Sequence, residues 1–524
     1  MTSSSKHFGR GIRMLPIMAS LTSCVGLHPV GPIGCAALPA AFKAPDAALT
    51  SSTEVAAVYA TATGAATPAY CDVRGTIGGN IKFAVYLPKD WNGRFQMVGN
   101  GGKAGSISLA DMRTALLAGY ATTSTDTGHE NAITEQGGSR FGNNQLFGDE
   151  REIDFGYRAV HLTATTAKSL TAAHYGRMPL YSYWNGCSSG GRQGLQEAQR
   201  FPDDFDGYVV DAANGDYTGQ QMSAPAYMLP LYKKIPPTAA ADGPVLPPAK
   251  RLLIGNAIYA KCDGKDGVVD DQLRNPTKCD FDPASDIPAC TGGATDNCLT
   301  PVELAAVKQI YAGREPFVPG MPLGGEIVPG SWDTWVLPDQ NRVPILHSIM
   351  VDAFEWLMFN PDKPGFAYLT QWDWNVHPFQ MQKAADTYNA TNPDLRKLLE
   401  SGKKIVMYHG WNDAAVNPIR SIRYRQNVID DLQVNGGNGE ERANSFMRLF
   451  MVPGMAHCSG GTGHSTVDWL TPAVNWVEKG AVPTSIVGAK AGSTRPHCPY
   501  PQEAVYDGSG NKDSTSSYTC KTLD

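Results

Sequence analysis

Tyr181-Ser182-Tyr183-Trp184-Asn185-Gly186-Cys187-Ser188-Ser189-Gly190-Gly191-Arg192 passes from a β-rich run into small residues and then into a polar amphipathic helical segment, Gly191 to Arg200. Gly186 to Gly190 fit the pattern G-x-S-x-G. Small residues on both sides of a serine permit a sharp strand-to-helix turn, which holds the hydroxyl out of the sheet and leaves the following N–H free to receive an oxyanion. Glycine- and serine-rich loops match five letters by chance, so the strand before and the helix after carry the argument. Ser188 is the candidate nucleophile of an α/β fold.

Outward from this turn the same alternation continues. Strand-like runs span Ile81 to Leu87, Phe95 to Val98 and Gly119 to Thr123, helical periodicity spans Tyr157 to Tyr175, and another strand spans Gly207 to Asp211. Strand alternating with helix predicts a parallel sheet covered on both faces. From about Gly215 to Lys403 the rhythm breaks into sequence rich in proline, glycine and cysteine. It resumes with Lys404 to Tyr408, a helix over Pro418 to Gln433, the run Ser445 to Val452 and a helix near Val467 to Lys479. The reading is a discontinuous core, 24–214 and 404–524, with a lid inserted at 215–403, over the strand ends where α/β proteins bind ligands.

A serine hydroxyl needs a base, and the base needs a carboxylate to orient it; on this fold the chain order is serine, acid, histidine. Asp413 directly follows the resumed strand, and His457 lies in the glycine-rich loop after the next one. His129, His409 and His464 compete for the base, and Asp430 and Asp468 for the acid. Cys187 immediately precedes the serine and Cys458 immediately follows the histidine. A disulfide between them would tie the two catalytic loops together.

The chain has 524 residues, 42% hydrophobic and 18% charged, with 44 basic against 50 acidic side chains and a net charge of −6. Three or four units, or one large α/β domain with an insertion, fit this length. Near-balanced charge without a basic run argues against a nucleic-acid partner. Lys6, Arg10 and Arg13 precede a short apolar stretch, Met14 to Leu21, that ends in Leu21-Thr22-Ser23-Cys24. Residues 1–23 thus read as a bacterial export signal. Either Cys24 is a lipid-anchor site, as in a lipoprotein box, or ordinary cleavage falls between Ser23 and Ala41. The expected location is periplasmic, outer-membrane-anchored or extracellular. Of eleven cysteines, ten then remain for an oxidising compartment. No later segment is apolar enough for a membrane span.

Asp263, Asp266 and Asp270, bent around Gly264 and Gly267, place hard oxygens at short intervals, which suits a calcium ion or a solvated acidic turn. The spacing is not that of an EF-hand.

At these residues the sequence resembles the tannase and feruloyl esterase family, which also holds the mono(2-hydroxyethyl) terephthalate hydrolases. The matching pieces are Trp91 to Phe95, Thr125 to His129, Gly186 to Arg192, Cys262-Asp263 with Asp266-Gly267, Tyr408 to Gly410, Val452 to Met455 with His457-Cys458, and Arg495-Pro496 with Cys498 to Pro501. The resemblance implies an α/β-hydrolase core with a lid and the triad Ser188, Asp413 and His457. It implies the disulfides Cys187–Cys458, Cys35–Cys71, Cys262–Cys279, Cys290–Cys298 and Cys498–Cys520. It also implies a structural Ca²⁺ in the lid, held by Asp263, Asp266 and Asp270 with the carbonyls of Val268 and Gln272. The oxyanion hole is expected to pair the N–H of Ser189 with a donor in Gly99 to Gly102, for which Gly99 is chosen.

The expected substrate is a small aromatic ester. Trp332, Trp335, Phe354, Trp356, Phe359, Phe366, Tyr368, Trp372, Trp374 and Phe379 make the insertion's aromatic stretch, some of it able to stack on a phenolic ring and most of it lid core. Family members acting on terephthalate monoesters set a lid arginine against the free carboxylate. No arginine lies within His347 to Trp356, and Arg342 is displaced, which favours feruloyl or galloyl esters. A peptidase on the same core and a catalytically silent lid-bearing binding protein are the alternatives.

Overall fold

Nine strands form one sheet in the computed structural model, which describes residues 32–58, 66–130, 149–235, 244–293, 295–339 and 342–523. They are β1 (Ala47–Val55), β2 (Tyr70–Ile77), β3 (Ile81–Pro88), β4 (Arg94–Val98), β5 (Ala121–Thr125), β6 (Tyr181–Cys187), β7 (Gly207–Asp211), β8 (Lys404–Gly410) and β9 (Met447–Val452), in the order β1-β2-β3-β5-β4-β6-β7-β8-β9. The export signal and Cys24 lie outside the described residues.

From β5 to β9 every neighbouring pair is parallel, but β1, β2, β3 and β5 pair antiparallel. The wholly parallel expectation is therefore corrected at one end. β2 and β3 are joined by a tight turn with Gly78 at φ 59° and Gly79 at φ 82°, and a link that short joins only antiparallel strands. β1 escaped the sequence reading because it is largely exposed and rich in serine and threonine. β2 alternates strictly, but Cys71 and Gly75 stand at two of its four buried positions, where apolar side chains would have marked it.

Helices cover both faces. α1 (Leu109–Leu117), α2 (Ala159–Tyr175) and α3 (Ser189–Arg200) fall before the insertion, α4 (Pro248–Cys262), α5 (Pro301–Ala312) and α6 (Ile345–Trp356) within it, and α7 (Ile419–Val434) and α8 (Leu470–Lys479) after it. Ala164, Leu195 and Val428 pack on Met97, Trp184 and Met407 at one face. At the other, Met112 and Leu116 meet Val98, and Trp476 meets Val209 and Val406. β7 is buried along its whole length, as a strand sandwiched between helices must be.

Between β7 and β8 no described residue adds a strand to this sheet. The insertion instead builds its own apolar core, with Ile254, Val307, Ile310, Leu346, Phe354 and Tyr368 at its centre. It also reaches α3. That polar helix has a solvent-facing look in sequence, yet Ser189 to Ala198 are buried against β6, β7 and the start of α2, with Tyr388 to Ala390 of the insertion closing part of its outer side. Arg192 donates to the carbonyls of Gly156 (2.9 Å) and Tyr388 (3.2 Å), and Gln196 to that of Tyr388 (3.2 Å). Among the described residues no helix is long and apolar enough to cross a membrane.

Candidate active site

Ser188 sits between β6 and α3 at φ 60°, ψ −120°. A non-glycine residue held there costs about 1–3 kcal/mol and persists only where the surroundings over-determine it. Here its N–H donates to the Asp211 carbonyl of β7 at 3.0 Å, while its own carbonyl accepts from Arg192 (3.0 Å) and Asn214 (3.2 Å). The flanking glycines are sterically required. A Cβ on Gly186 would lie 2.8 Å from backbone atoms of Gly190, and one on Gly99 only 2.6 Å from the Gly190 Cα.

Asp413 and His457 follow the carboxyl ends of β8 and β9, the two strands beyond β7. His457 Nδ1 donates to Asp413 Oδ2 at 2.7 Å, which leaves Nε2 as the basic nitrogen. Asp413 is fully buried; its Oδ1 accepts from the N–H groups of Ala415 (2.8 Å) and Val416 (2.9 Å). Burial alone would raise its pKa, but the charge of His457 and hydrogen bonds from His409 and His457 outweigh it and hold the carboxyl well below the usual range.

Of the rival histidines, His409 turns out to serve the acid. Its Nε2 donates to Asp413 Oδ2 (3.1 Å) and the Val416 carbonyl (2.9 Å), and its Nδ1 faces Ser421 Oγ at 2.8 Å. His129 bonds the Lys103 carbonyl (2.7 Å), and His464 bonds Ser493 Oγ (2.8 Å). Ser188 and His457 line one cavity of about 550 Å³. The Cys187–Cys458 disulfide, with its Cα atoms 5.9 Å apart, joins the residue before the serine to the residue after the histidine. The other four disulfides are Cys35–Cys71, Cys262–Cys279, Cys290–Cys298 and Cys498–Cys520, the pairing implied by the resemblance.

Ser189 opens α3 and lines the cavity, and its Oγ donates to the Gly102 carbonyl at 2.5 Å. Gly99 needs correcting as the second oxyanion donor. Its N–H continues the strand pairing one residue beyond β4 and is engaged by the Asn185 carbonyl at 2.9 Å. The Asn100 N–H is also engaged, by Gln193 Oε1 at 3.0 Å. Among the described residues no internal acceptor takes the N–H of Gly101 or Gly102, and both line the cavity.

The insertion supplies the opposite wall. The Trp335 ring lies 5.0 Å from that of His457 and nearly perpendicular to it, beside Leu346, Ile349 and Met350. Trp332, Phe354, Phe359, Phe366 and Tyr368 belong to the insertion's core; Trp356, Trp372 and Trp374 pack at its edge, and Phe379 is exposed. No lysine or arginine is among the described lining residues, and Arg342 is exposed, its Nε 3.3 Å from the Asp339 carbonyl. Sequence reasoning missed Asp211, Asn214, Gln220 and Gln221, which also line the cavity. The one available signal was Asp211, an acid ending an otherwise uncharged strand.

At the end of α4, Asp263 is buried and accepts from the N–H groups of Asp270 (3.3 Å) and Asp271 (3.1 Å). Asp266 accepts from the Val268 N–H (3.0 Å), and Asp270 from Arg495 and Gln272 (each 3.0 Å). Burial pushes the Asp270 carboxyl up to about 6 against the pull of Arg495. The Val268 and Gln272 carbonyls accept no internal hydrogen bond among the described residues, although both residues are buried. Three carboxylates and two unengaged carbonyls in one turn offer the kind of hard oxygens that a calcium ion takes.

A strained serine at a strand-to-helix turn, with an acid and a histidine after the next two core strands, defines an α/β-hydrolase. The chain belongs to the tannase and feruloyl esterase family, described as "Tannase and feruloyl esterase", which matches residues 62–521. It is 32% identical over 545 residues to the mono(2-hydroxyethyl) terephthalate hydrolase of Piscinibacter sakaiensis, covering 88% of this chain and 87% of that one. It is 30% identical to a probable feruloyl esterase B-2 of Aspergillus terreus, covering 84% and 83%. The crystal structure of feruloyl esterase B from Aspergillus oryzae superposes with a TM-score of 0.79 at 26% identity, covering 93% of this chain and 99% of that one. Members of this family are carboxylic ester hydrolases.

Proposed function

We propose that the protein is an exported serine esterase that hydrolyses esters of hydroxyaromatic acids, of feruloyl or galloyl type, through an acyl-enzyme. The observation that carries this reading is Ser188 sharing a cavity with His457, whose Nδ1 is held by Asp413 at 2.7 Å. His457 Nε2 takes the Ser188 proton as Oγ attacks the ester carbonyl, and the same proton then passes to the departing alcohol. Water, deprotonated by His457, attacks the acyl-serine and releases the aromatic acid. Asp413 orients His457 and stabilises its cation. The Ser189 N–H and an N–H of the Gly101–Gly102 segment receive the oxyanion, each such donor contributing about 3–4 kcal/mol to the transition state.

The insertion acts as a lid, and Asp263, Asp266 and Asp270 with the Val268 and Gln272 carbonyls hold a structural Ca²⁺ that neutralises their charge. Five disulfides support export. A second reading, a terephthalate-monoester hydrolase, has the 32% identical relative in its favour and the absence of a described lining cation against it.

Hydrolysis of methyl ferulate, methyl gallate, chlorogenate and a terephthalate monoester tests the assignment. The phenolic esters are expected to be cleaved, and Ser188→Ala to abolish turnover and fluorophosphonate labelling in a folded protein. Substantial residual turnover in Ser188→Ala would remove the serine mechanism.

A further inference from the structure

The loop that follows β4 is tied down carbonyl by carbonyl. The Gly101 carbonyl accepts from the Ala104 N–H (3.0 Å), that of Gly102 from Ser189 Oγ (2.5 Å) and that of Lys103 from His129 Nε2 (2.7 Å). Ala104 is held at φ 57°, a conformation that an alanine keeps only where its surroundings impose it. With its carbonyls engaged in this way, the segment keeps the N–H groups of Gly101 and Gly102 for the cavity that both residues line.

One further tie leaves the sheet layer altogether. The Lys103 side chain, only 5% exposed, forms an ion pair with Asp352 of α6, whose own side chain is 18% exposed. The helical segments packed against α6 are Tyr217–Gln221, Ser223–Met228 and Trp332–Trp335, all within the insertion, so the pair joins an insertion helix to the loop after β4. The same helix presents Leu346, Ile349 and Met350 to the cavity, and Ile349 lies one turn before Asp352. Burial pushes the Lys103 ammonium down to about 7, and the carboxylate set against it opposes that shift. Withdrawing α6 would strand a buried ammonium, so the pair holds the loop and the helix to one another.

We propose that Lys103 and Asp352 are a positioning pair, which fixes the oxyanion donors of Gly101 and Gly102 against the insertion helix that walls the cavity. The proposal rests on the esterase reading above. Neither side chain lines the cavity, so neither touches the reacting atoms; both act through the loop. Donors aimed at an oxyanion stabilise charge that appears only in the transition state. Loosening them therefore slows the chemical step and leaves the binding of an intact ester nearly unchanged.

The test takes the best-cleaved ester of the panel above and measures its kcat, and its Kd for the Ser188→Ala protein. It also measures the rate at which a small dialkyl fluorophosphate modifies Ser188 with loss of fluoride. The phosphoryl oxygen of that reagent enters the oxyanion site, and the reagent has no ring to lean on the α6 wall. Lys103→Met is expected to lower kcat and the modification rate together, each by about tenfold, and to change Kd in the Ser188→Ala background by less than about threefold. Asp352→Asn should act in the same direction by about threefold, and the double variant should lose no more than Lys103→Met alone, as coupled partners do. Asp352→Asn is close to isosteric and carries the comparison if Lys103→Met does not fold. A native esterase whose variants keep both rates within about twofold, lose them additively, or lose only affinity would overturn the proposal and leave the esterase intact. A native protein that neither hydrolyses an ester of the panel nor takes the label would overturn the esterase reading and this proposal with it.

Discussion

The sheet and the insertion place side chains in opposite ways. In the sheet, Ser188, Asp413 and His457 each follow a parallel strand, and the order of strands determines the order of chemical groups. In the insertion, short helices and turns, stapled by the Cys262–Cys279 and Cys290–Cys298 bridges, pack around an apolar core and present Trp335, Leu346, Ile349 and Met350 to the cavity. The proposed reaction machinery thus sits on the regular layer, and the irregular one supplies the facing wall of the cavity. Perturbing the first should change kcat, and perturbing the second should change KM or stability.

The largest expected effect is in the sheet. Asp413→Asn should lower kcat by about 10⁴-fold with the fold intact, because the amide favours the wrong His457 tautomer. A loss of only a few-fold would mean that another group orients the histidine. In the insertion, Trp335→Ala should raise KM by about tenfold, with kcat changed less, as expected when a cavity wall is lost rather than a transition-state contact. Equal falls in kcat and kcat/KM would place Trp335 in the chemistry and erase the contrast.

Calcium stripping is next. Chelation should lower Tm by about one or two degrees, on the scale of about 1–2 kcal/mol, and leave kcat of the still-folded protein unchanged. A chelator that altered neither Tm nor activity would remove the calcium assignment.

The smallest effect returns to the sheet's helices. Burial first, and then the negative Asp204, push the Glu197 carboxyl of α3 well above the usual range. The unfolded chain therefore releases this proton at lower pH than the folded one, and stability declines as pH rises above the ordinary glutamate range. Glu197→Gln lacks that decline. Its Tm advantage should be near zero at about pH 4 and grow toward neutrality; thermal melts across that span would show the opposite slope if Asp204 and His161 needed the charge.

Much of the core can be read from residues alone, because doubly covered strands such as β7 and β8 are nearly continuous apolar runs and the serine turn has its own steric grammar. The failures have equally physical origins. Gly99 was misassigned because nothing in a glycine-rich run marks where strand pairing stops, and it stops one residue later than the apolar stretch. His409 is indistinguishable from a base in sequence and becomes the partner of Asp413 only through the bend after β8. α3 looks half-exposed until Arg192 and Gln196 find carbonyls far along the chain. Asp211, Asn214, Gln220 and Gln221 lie within eleven residues of one another, but nothing in their types shows that the turn after β7 brings them to one cavity.

The bridge between Cys187 and Cys458 spans 271 residues of sequence and encloses β7, β8, β9 and the entire insertion in one covalent ring. No other disulfide reaches across the stretch from 299 to 457. A protease cutting there would produce two polypeptides still fastened beside the serine and the histidine, separable on a gel only after reduction. The ring makes the molecule tolerant of a broken backbone at the place where its loops are most numerous.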